Sequence, residues 1–365
     1  MDGAKLQDAI AFAKQSEVRA PRDLEQAHYQ TFGREPFGDA VGPFRPRGEA
    51  SGVIVRRGYI VAEWGEPARV DMTFSVTKSF VSTTVGLAVE RGLIRSIDDP
   101  VHAAMGPVLH ATMPALATEG GRGQFNARIP IAPFDTPHNR RITWKHLLQQ
   151  NSDWEGTLWG KPEWADRPSN TPATWWTRER ATPGTVYEYN DTRVNALALA
   201  ALNVWRRPLP EVLRELVMDP IGASPDWEWH GYRNSYVEID GRRMQSVSGG
   251  SHWGGGVFIH AQDQARIGLL LLRGGVWNGR RILSQEWISR MRVPCPLNPQ
   301  YGYLWWLNTG RAMYPSASER SYTASGAGGN LTWIDPDNDL VAVMRWIDPA
   351  ARDGFMGRVT TAVRA

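Results

Sequence analysis

Apolar positions change period several times along this chain. Two β-branched runs in Ser51-Gly-Val-Ile-Val-Arg-Arg-Gly-Tyr-Ile-Val-Ala-Glu-Trp-Gly65 flank Arg56-Arg57-Gly58, the pattern of a β-hairpin. From Lys78 to Arg91 the period lengthens to that of a helix. Phe80, Val81, Val85, Ala88 and Val89 share a side, and Gly92 stands at the C-cap. Ile142–Gln149 reads as a capped helix start. A strongly apolar helix follows Asn190 (Val194, Ala196, Leu197, Ala198, Leu199, Ala201, Leu202) and ends near Arg206-Arg207-Pro208. Another starts at Asp263 and stops at Gly274-Gly275. Three strand-like runs come late, Tyr301–Leu307, Asn330–Ile334 and Asp339–Trp346, with a turn signal at Asp335-Pro-Asp-Asn338. The last stretch, Gly354–Ala365, is helical.

The remaining segments are less regular. Asp8–Lys14 fits a short amphipathic helix, and residues 18–50, rich in Pro, Gly and charge, fit an irregular lead-in. Met105–Arg141 has little periodicity and reads as a long excursion or lid. Five tryptophans (Trp154, Trp159, Trp164, Trp175, Trp176) fall in one short stretch, for which packing is the first expectation. Strands at both ends and helices between them predict an α+β chain. Its antiparallel sheet domain is built from 1–92 and 240–365. An all-helical subdomain spans 93–239, with an active-site cleft where the two meet.

Composition removes several function classes. The net charge is +3, with no basic tract or arm, so neither nucleic acid nor a membrane surface is an expected partner. Cys295 is the single cysteine, which rules out an intrachain disulfide and any multi-cysteine metal site. None of the eight histidines forms an i, i+4 pair around a glutamate, so no metal is expected. No signal peptide precedes the first helix, which suits a cytoplasmic protein or a mature form whose leader has been removed.

Candidate chemistry centres on Phe74-Ser75-Val76-Thr77-Lys78. A helix opened by Ser75 puts Lys78 one turn on and on the same face. A buried lysine sheds its proton more readily than a solvated one, so a neutral Lys78 could take the Ser75 hydroxyl proton and release a nucleophile. With only five lysines, a Ser-x-x-Lys pair still arises by chance in roughly one such chain in three, so its neighbours must decide.

Rival nucleophile systems fit less well. A Gly-x-Ser-x-Gly elbow fails at Gly249-Gly-Ser251-His-Trp253, where Trp253 takes the last glycine's place. Ser251 and His252 are adjacent, which suits a turn better than a nucleophile with its base. Class A β-lactamases need Ser-Asp-Asn and Lys-Thr-Gly. Asn151-Ser152-Asp153-Trp154 breaks the first, and no lysine follows Lys161 to make the second.

Phe74–Ser79, Pro183-Gly-Thr-Val-Tyr-Glu-Tyr-Asn-Asp191 and Ala324-Ser-Gly-Ala-Gly-Gly-Asn330 together resemble the class C β-lactamase-like serine hydrolases. That superfamily includes family VIII carboxylesterases, D-aminopeptidases and 6-aminohexanoate-dimer hydrolases. The likeness covers about residues 50–350. It implies a β-lactamase/transpeptidase-like fold and an acyl-enzyme route with no cofactor. It assigns Ser75 as nucleophile, Lys78 as its base and Tyr189 as proton shuttle. It places the oxyanion hole at the N–H groups of Ser75 and Ala327, beside Ser325 and Gly326, with Asn190 and Asp191 in support. For Tyr187 packing is expected, since the Pro-Gly spacing selects Tyr189.

Two positions depart from the pattern. Asp191 replaces the asparagine of Tyr-x-Asn, and its carboxylate would favour a charged Lys78. Ala324 replaces the third-motif lysine that helps hold a β-lactam carboxylate. The expected substrate is therefore a small ester or amide. β-Lactamase, D,D-peptidase or D-aminopeptidase activity is the alternative on the same site, and a non-catalytic binding protein is the rival from another class.

Overall fold

The computed structural model describes residues 1–111, 128–168 and 177–364. At the predicted hairpin, Arg57 and Gly58 both take positive φ (53° and 85°). That two-residue turn matches the twist of the flanking strands, β1 (Ser51–Arg56) and β2 (Tyr59–Trp64). β3 (Asp71–Met72), β4 (Val108–Ala111) and β5 (Arg128–Ile131) follow. Next are β6 (Glu228–Ile239), β7 (Arg242–Val247) and β8 (Gly256–Ile259). The last four are β9 (Trp306–Leu307), β10 (Tyr322–Gly326), β11 (Asn330–Asp335) and β12 (Leu340–Arg345).

The first sheet runs β9-β10-β11-β12-β1-β2 and is antiparallel throughout. Ser51 faces Arg345, Val53 faces Val343 and Val55 faces Val341, so the two ends of the chain meet at the β1–β12 seam. Val53 and Val55 belong to one core, whereas Ile54 belongs to another shared with Ala342 and Met344. Burial on both faces explains the unbroken apolar run in β1, in place of an apolar-polar alternation. Helices α1 (Gly3–Gln15) and α5 (Arg352–Arg364) close one face through Leu6, Ile10, Phe355 and Val359. Helix α4 (Ala261–Leu272) covers the other.

The middle of the chain corrects the all-helical expectation. A second antiparallel sheet runs β3-β8-β6-β4-β5, with β7 paired to β6. β6 carries an apolar side chain only at intervals (Trp229, Val237, Ile239 inside, Glu228, His230 and Glu238 not), a period-2 pattern too polar to stand out. The expected excursion contains β4 and β5, in register from Val108–Ile131 to Ala111–Arg128. Residues 112–127 lie outside the described residues, as do Trp175 and Trp176. Of the run at 301–307 only Trp306 and Leu307 form a strand. β10 contains the third motif.

The two helices nearest the cleft follow the sequence closely. Helix α2 (Thr77–Glu90) continues from a 3₁₀ turn at Phe74–Val76, and Gly92 takes φ 70° just beyond its end. It is buried nearly all round, so its hydroxyls must find internal acceptors. Ser79 Oγ donates to Leu304 O at 2.9 Å and Thr83 Oγ1 to Ser79 O at 3.0 Å. Helix α3 (Asp191–Trp205) packs against it and is capped by Asn190, whose Oδ1 accepts the Arg193 N–H at 3.1 Å.

The lead-in includes a helix, Leu24–Gln30, and wraps the glycine-rich loop before β8. Val41 and Gly42 N–H both donate to Trp253 O at 3.0 Å, and Gly255 N–H donates to Pro43 O at 3.0 Å. The Lys161 ammonium ties the same segment down through Phe37 O and, at 2.7 Å, Asp39 O. Among the described residues no helix is long and apolar enough to cross a membrane.

Candidate active site

Ser75 and Lys78 project together from the 3₁₀ turn and the first turn of α2. Lys78 Nζ donates to Ser75 Oγ at 2.9 Å, and Ser75 Oγ donates to Gly250 O at 3.1 Å. Phe74, immediately before Ser75, has φ 51°, a left-handed conformation that costs a side-chain-bearing residue about 1–2 kcal/mol. Two glycines frame this turn. A Cβ on Gly250 (φ 85°) would lie 2.1 Å from Phe74 O. A Cβ on Gly326 would lie 2.1 Å from Thr73 O and 3.2 Å from Ser75 N. The end of β10 can therefore approach the Ser75 amide this closely only without a side chain.

The departure at Asp191 has a large effect. Its Oδ1 is 2.6 Å from Lys78 Nζ, and the two side chains are 1% and 2% exposed. Burial disfavours charge on Lys78, but the Asp191 carboxylate outweighs it and holds the amine above its ordinary value. Burial likewise opposes charge on Asp191, and Lys78, Arg167 and His252 override it, keeping the carboxyl well below its ordinary value. Of the two expectations, a neutral lysine from burial and a charged one from the Asp191 carboxylate, the geometry favours the second: Lys78 is held as an ammonium.

Behind this pair lies a polar cluster that sequence reading missed. Asp191 Oδ2 accepts from His252 N–H at 3.2 Å, His252 Nδ1 at 3.0 Å and Arg167 Nη2 at 3.3 Å. Arg167 Nη1 donates to Asp166 Oδ1 at 2.6 Å, and the Asp191 N–H donates to Asp166 Oδ2. Burial and the neighbouring Asp191 push Asp166 up to about 7. Glu35, from the lead-in, faces His252 Nε2 at 3.6 Å and is raised by burial. Asp166, Asp191 and His252 stand close enough to share a metal ion, but the carboxylates already pair with the Lys78 and Arg167 cations. One signal could have found the cluster: a buried carboxylate in an amide's place demands extra donors.

The other expected residues separate by position. The Tyr189 ring is near two cations, with Lys78 Nζ 5.0 Å and Arg167 Cζ 5.2 Å from its centroid, and stacks on Trp306 at 5.7 Å. Burial raises Tyr187, which packs edge-on to Tyr301. Asn190 serves as a helix cap and donates to Glu163 O at 2.8 Å. Asp153 is turned into an ion-pair network with Arg178 and Arg193, 2.8 Å from the latter, rather than towards Ser75. Ala324 is buried in the core, while Ser325 Oγ accepts from Arg352 Nη1 at 3.1 Å. Ala327 begins a tight turn directly after Gly326.

The beta-lactamase family profile matches residues 47–346. This chain belongs to the beta-lactamase family. It is similar to the 6-aminohexanoate-dimer hydrolase of Paenarthrobacter ureafaciens, at 31% identity over 325 residues, which cover 82% of this chain and 73% of that enzyme. Its fold is similar to that of a family VIII carboxylesterase (TM-score 0.58, 16% identity, 98% and 97% of the two chains). A penicillin-binding protein homologue from Caulobacter crescentus is comparable (TM-score 0.58, 14% identity, 97% and 98%). The family is one of hydrolases sharing the β-lactamase fold, as the sequence resemblance implied.

Proposed function

We propose that the chain is a serine hydrolase that cleaves a small ester or amide through an acyl-enzyme. The observation that carries this reading is the Ser75 Oγ–Lys78 Nζ–Asp191 chain of 2.9 and 2.6 Å, abutted by Gly326. Ser75 Oγ bonds to the substrate carbonyl carbon, and the carbonyl electron pair moves onto oxygen. The N–H groups of Ser75 and Ala327 receive that oxyanion, a contribution of about 3 kcal/mol per donor in the transition state. Lys78, held as an ammonium, donates to Oγ and eases the build-up of charge there. The Ser75 proton passes to the Tyr189 oxygen as the Tyr189 proton goes to the leaving group, whose bond to carbon breaks. Water then repeats the sequence on the ester and frees the acid.

Two features support the substrate class. Ala324 removes the lysine that would meet a β-lactam carboxylate. The 31%-identical relative is named a 6-aminohexanoate-dimer hydrolase, and a neighbour in fold is a family VIII carboxylesterase. A second reading, a β-lactam or D-peptide bearing a carboxylate, draws on Arg352, whose guanidinium reaches Ser325 from α5.

The test compares the protein with Ser75→Ala on p-nitrophenyl esters, short amides and a chromogenic cephalosporin. Expected are ester or amide turnover that falls about 1,000-fold or more in Ser75→Ala, and a fluorophosphonate adduct on Ser75 by mass spectrometry. Undiminished turnover in the variant would end the serine mechanism. Cephalosporin turnover far above the rest would favour the second reading.

A further inference from the structure

We infer that His252 is a positioning residue of this hydrolase: with its ring Nδ1–H, beside its backbone N–H, it anchors one oxygen of Asp191, so that the other holds the Lys78 ammonium against Ser75. The inference rests on the serine mechanism proposed above and adds a residue outside its three motifs.

The geometry divides Asp191 into two halves. Oδ2 takes both His252 donors and Arg167 Nη2, within 3.0–3.3 Å, whereas Oδ1 faces Lys78 at 2.6 Å. A carboxylate accepts at both oxygens, which suits donors on both sides. An asparagine would have to turn its NH₂ towards one set of donors. Aspartate here and histidine at 252 are therefore complementary, and the change at the second motif is one half of a pair.

The imidazole itself is held in one orientation. Its ring is 3% exposed and lies 4.5 Å from Phe32 and 4.2 Å from Trp253, centroid to centroid. The groups facing it are Asp191 from α3, Asp166 at 3.5 Å, Arg167, and Glu35 and His28 from the lead-in. Burial keeps His252 below the ordinary histidine value, so at neutral pH the ring carries one proton. Asp191 offers only lone pairs, which places that proton on Nδ1 and leaves Nε2 bare towards Glu35. Glu35 and His28 precede residue 47, where the family match begins, so this support is contributed from outside the matched region.

The test uses His252→Asn, whose amide nitrogen can stand in for Nδ1, and His252→Leu, which cannot donate. His252→Leu is expected to lower kcat by about 30-fold, the loss of a charge-assisted hydrogen bond, with KM little changed. His252→Asn should recover most of that loss. In the unmodified protein, ¹⁵N-histidine NMR should show His252 protonated on Nδ1 at neutral pH. The inference fails if His252→Leu keeps full kcat, if His252→Asn is as impaired as His252→Leu, or if Nδ1 carries no proton. The NMR measurement decides even where His252→Leu does not fold. Ser75→Ala separates the two readings: activity surviving that change defeats the serine mechanism, whereas the outcomes above defeat the role of His252 alone.

Discussion

Asp191 sets a carboxylate oxygen 2.6 Å from the Lys78 ammonium in a place that solvent scarcely reaches. This ion pair keeps the lysine charged. Asp191→Asn removes the carboxylate and leaves burial and Arg167, which push Lys78 down from its present raised value, opposed only by Tyr189. If the ammonium is the working form, kcat/KM of the variant falls with rising pH at a lower pH than in the unmodified protein. A rise of activity with pH in the variant would instead make neutral lysine the base. Unfolding in urea should show the variant destabilised by about 3 kcal/mol, since removing one partner leaves buried charge uncompensated.

Asp166 gives stability an unusual slope. Its folded value of about 7 lies above the ordinary 3.8, so between these pH values the native state binds the extra proton. Stability contributed by this group is therefore present at low pH and lost as pH rises towards 7. Asp166→Asn imitates the protonated form and should flatten that dependence. Urea midpoints at pH 5 and pH 8, compared between the two proteins, measure it. A steeper loss in the variant would contradict the assignment.

Gly326 and Gly250 should resist even alanine. In each case the added methyl would meet a carbonyl at 2.1 Å, so the strand or the loop must retreat. Displacing the Ser75–Ala327 donor pair should cost kcat about 100-fold or more in Gly326→Ala. Burst kinetics with a p-nitrophenyl ester would show a slowed acylation step. An unaltered burst would mean that the oxyanion site is elsewhere.

Lys161 predicts an effect on the alkaline side. Burial lowers it to about 8 from 10.5, so between those values the unfolded chain binds the extra proton. Stability then rises with pH across that window. Lys161→Met should remove the rise, as thermal unfolding at pH 7.5 and pH 10 would report.

The contact of Ser75 with Lys78 was legible because the two lie within one short run of residues, and Tyr189 was marked by a second such run. So were α2 and α3, whose apolar spacing and end signals are local. The Arg57-Gly58 turn was equally plain. β6 was not, because its inward positions include Ser235 and Gly231, which carry little hydrophobic signal. Nor were Arg167 and His252, which meet Asp191 only through the fold, from 24 and 61 positions away. The sequence leaves the charge of Lys78 between two opposed effects. Burial and a facing carboxylate act in opposite directions, and only the 2.6 Å distance shows which prevails.

The lead-in that clasps Trp253 and Gly255 has a meaning beyond holding the chain together. It puts Glu35 at the Nε2 edge of His252, away from the Nδ1 edge that meets Asp191, with His28 and Phe32 against the same ring. On the proposed mechanism, the setting of Asp191 would thereby depend partly on a segment that precedes the family match. Substitutions in the lead-in would then act on Lys78 through His252 and Asp191 while leaving Ser75 and Gly326 themselves unchanged.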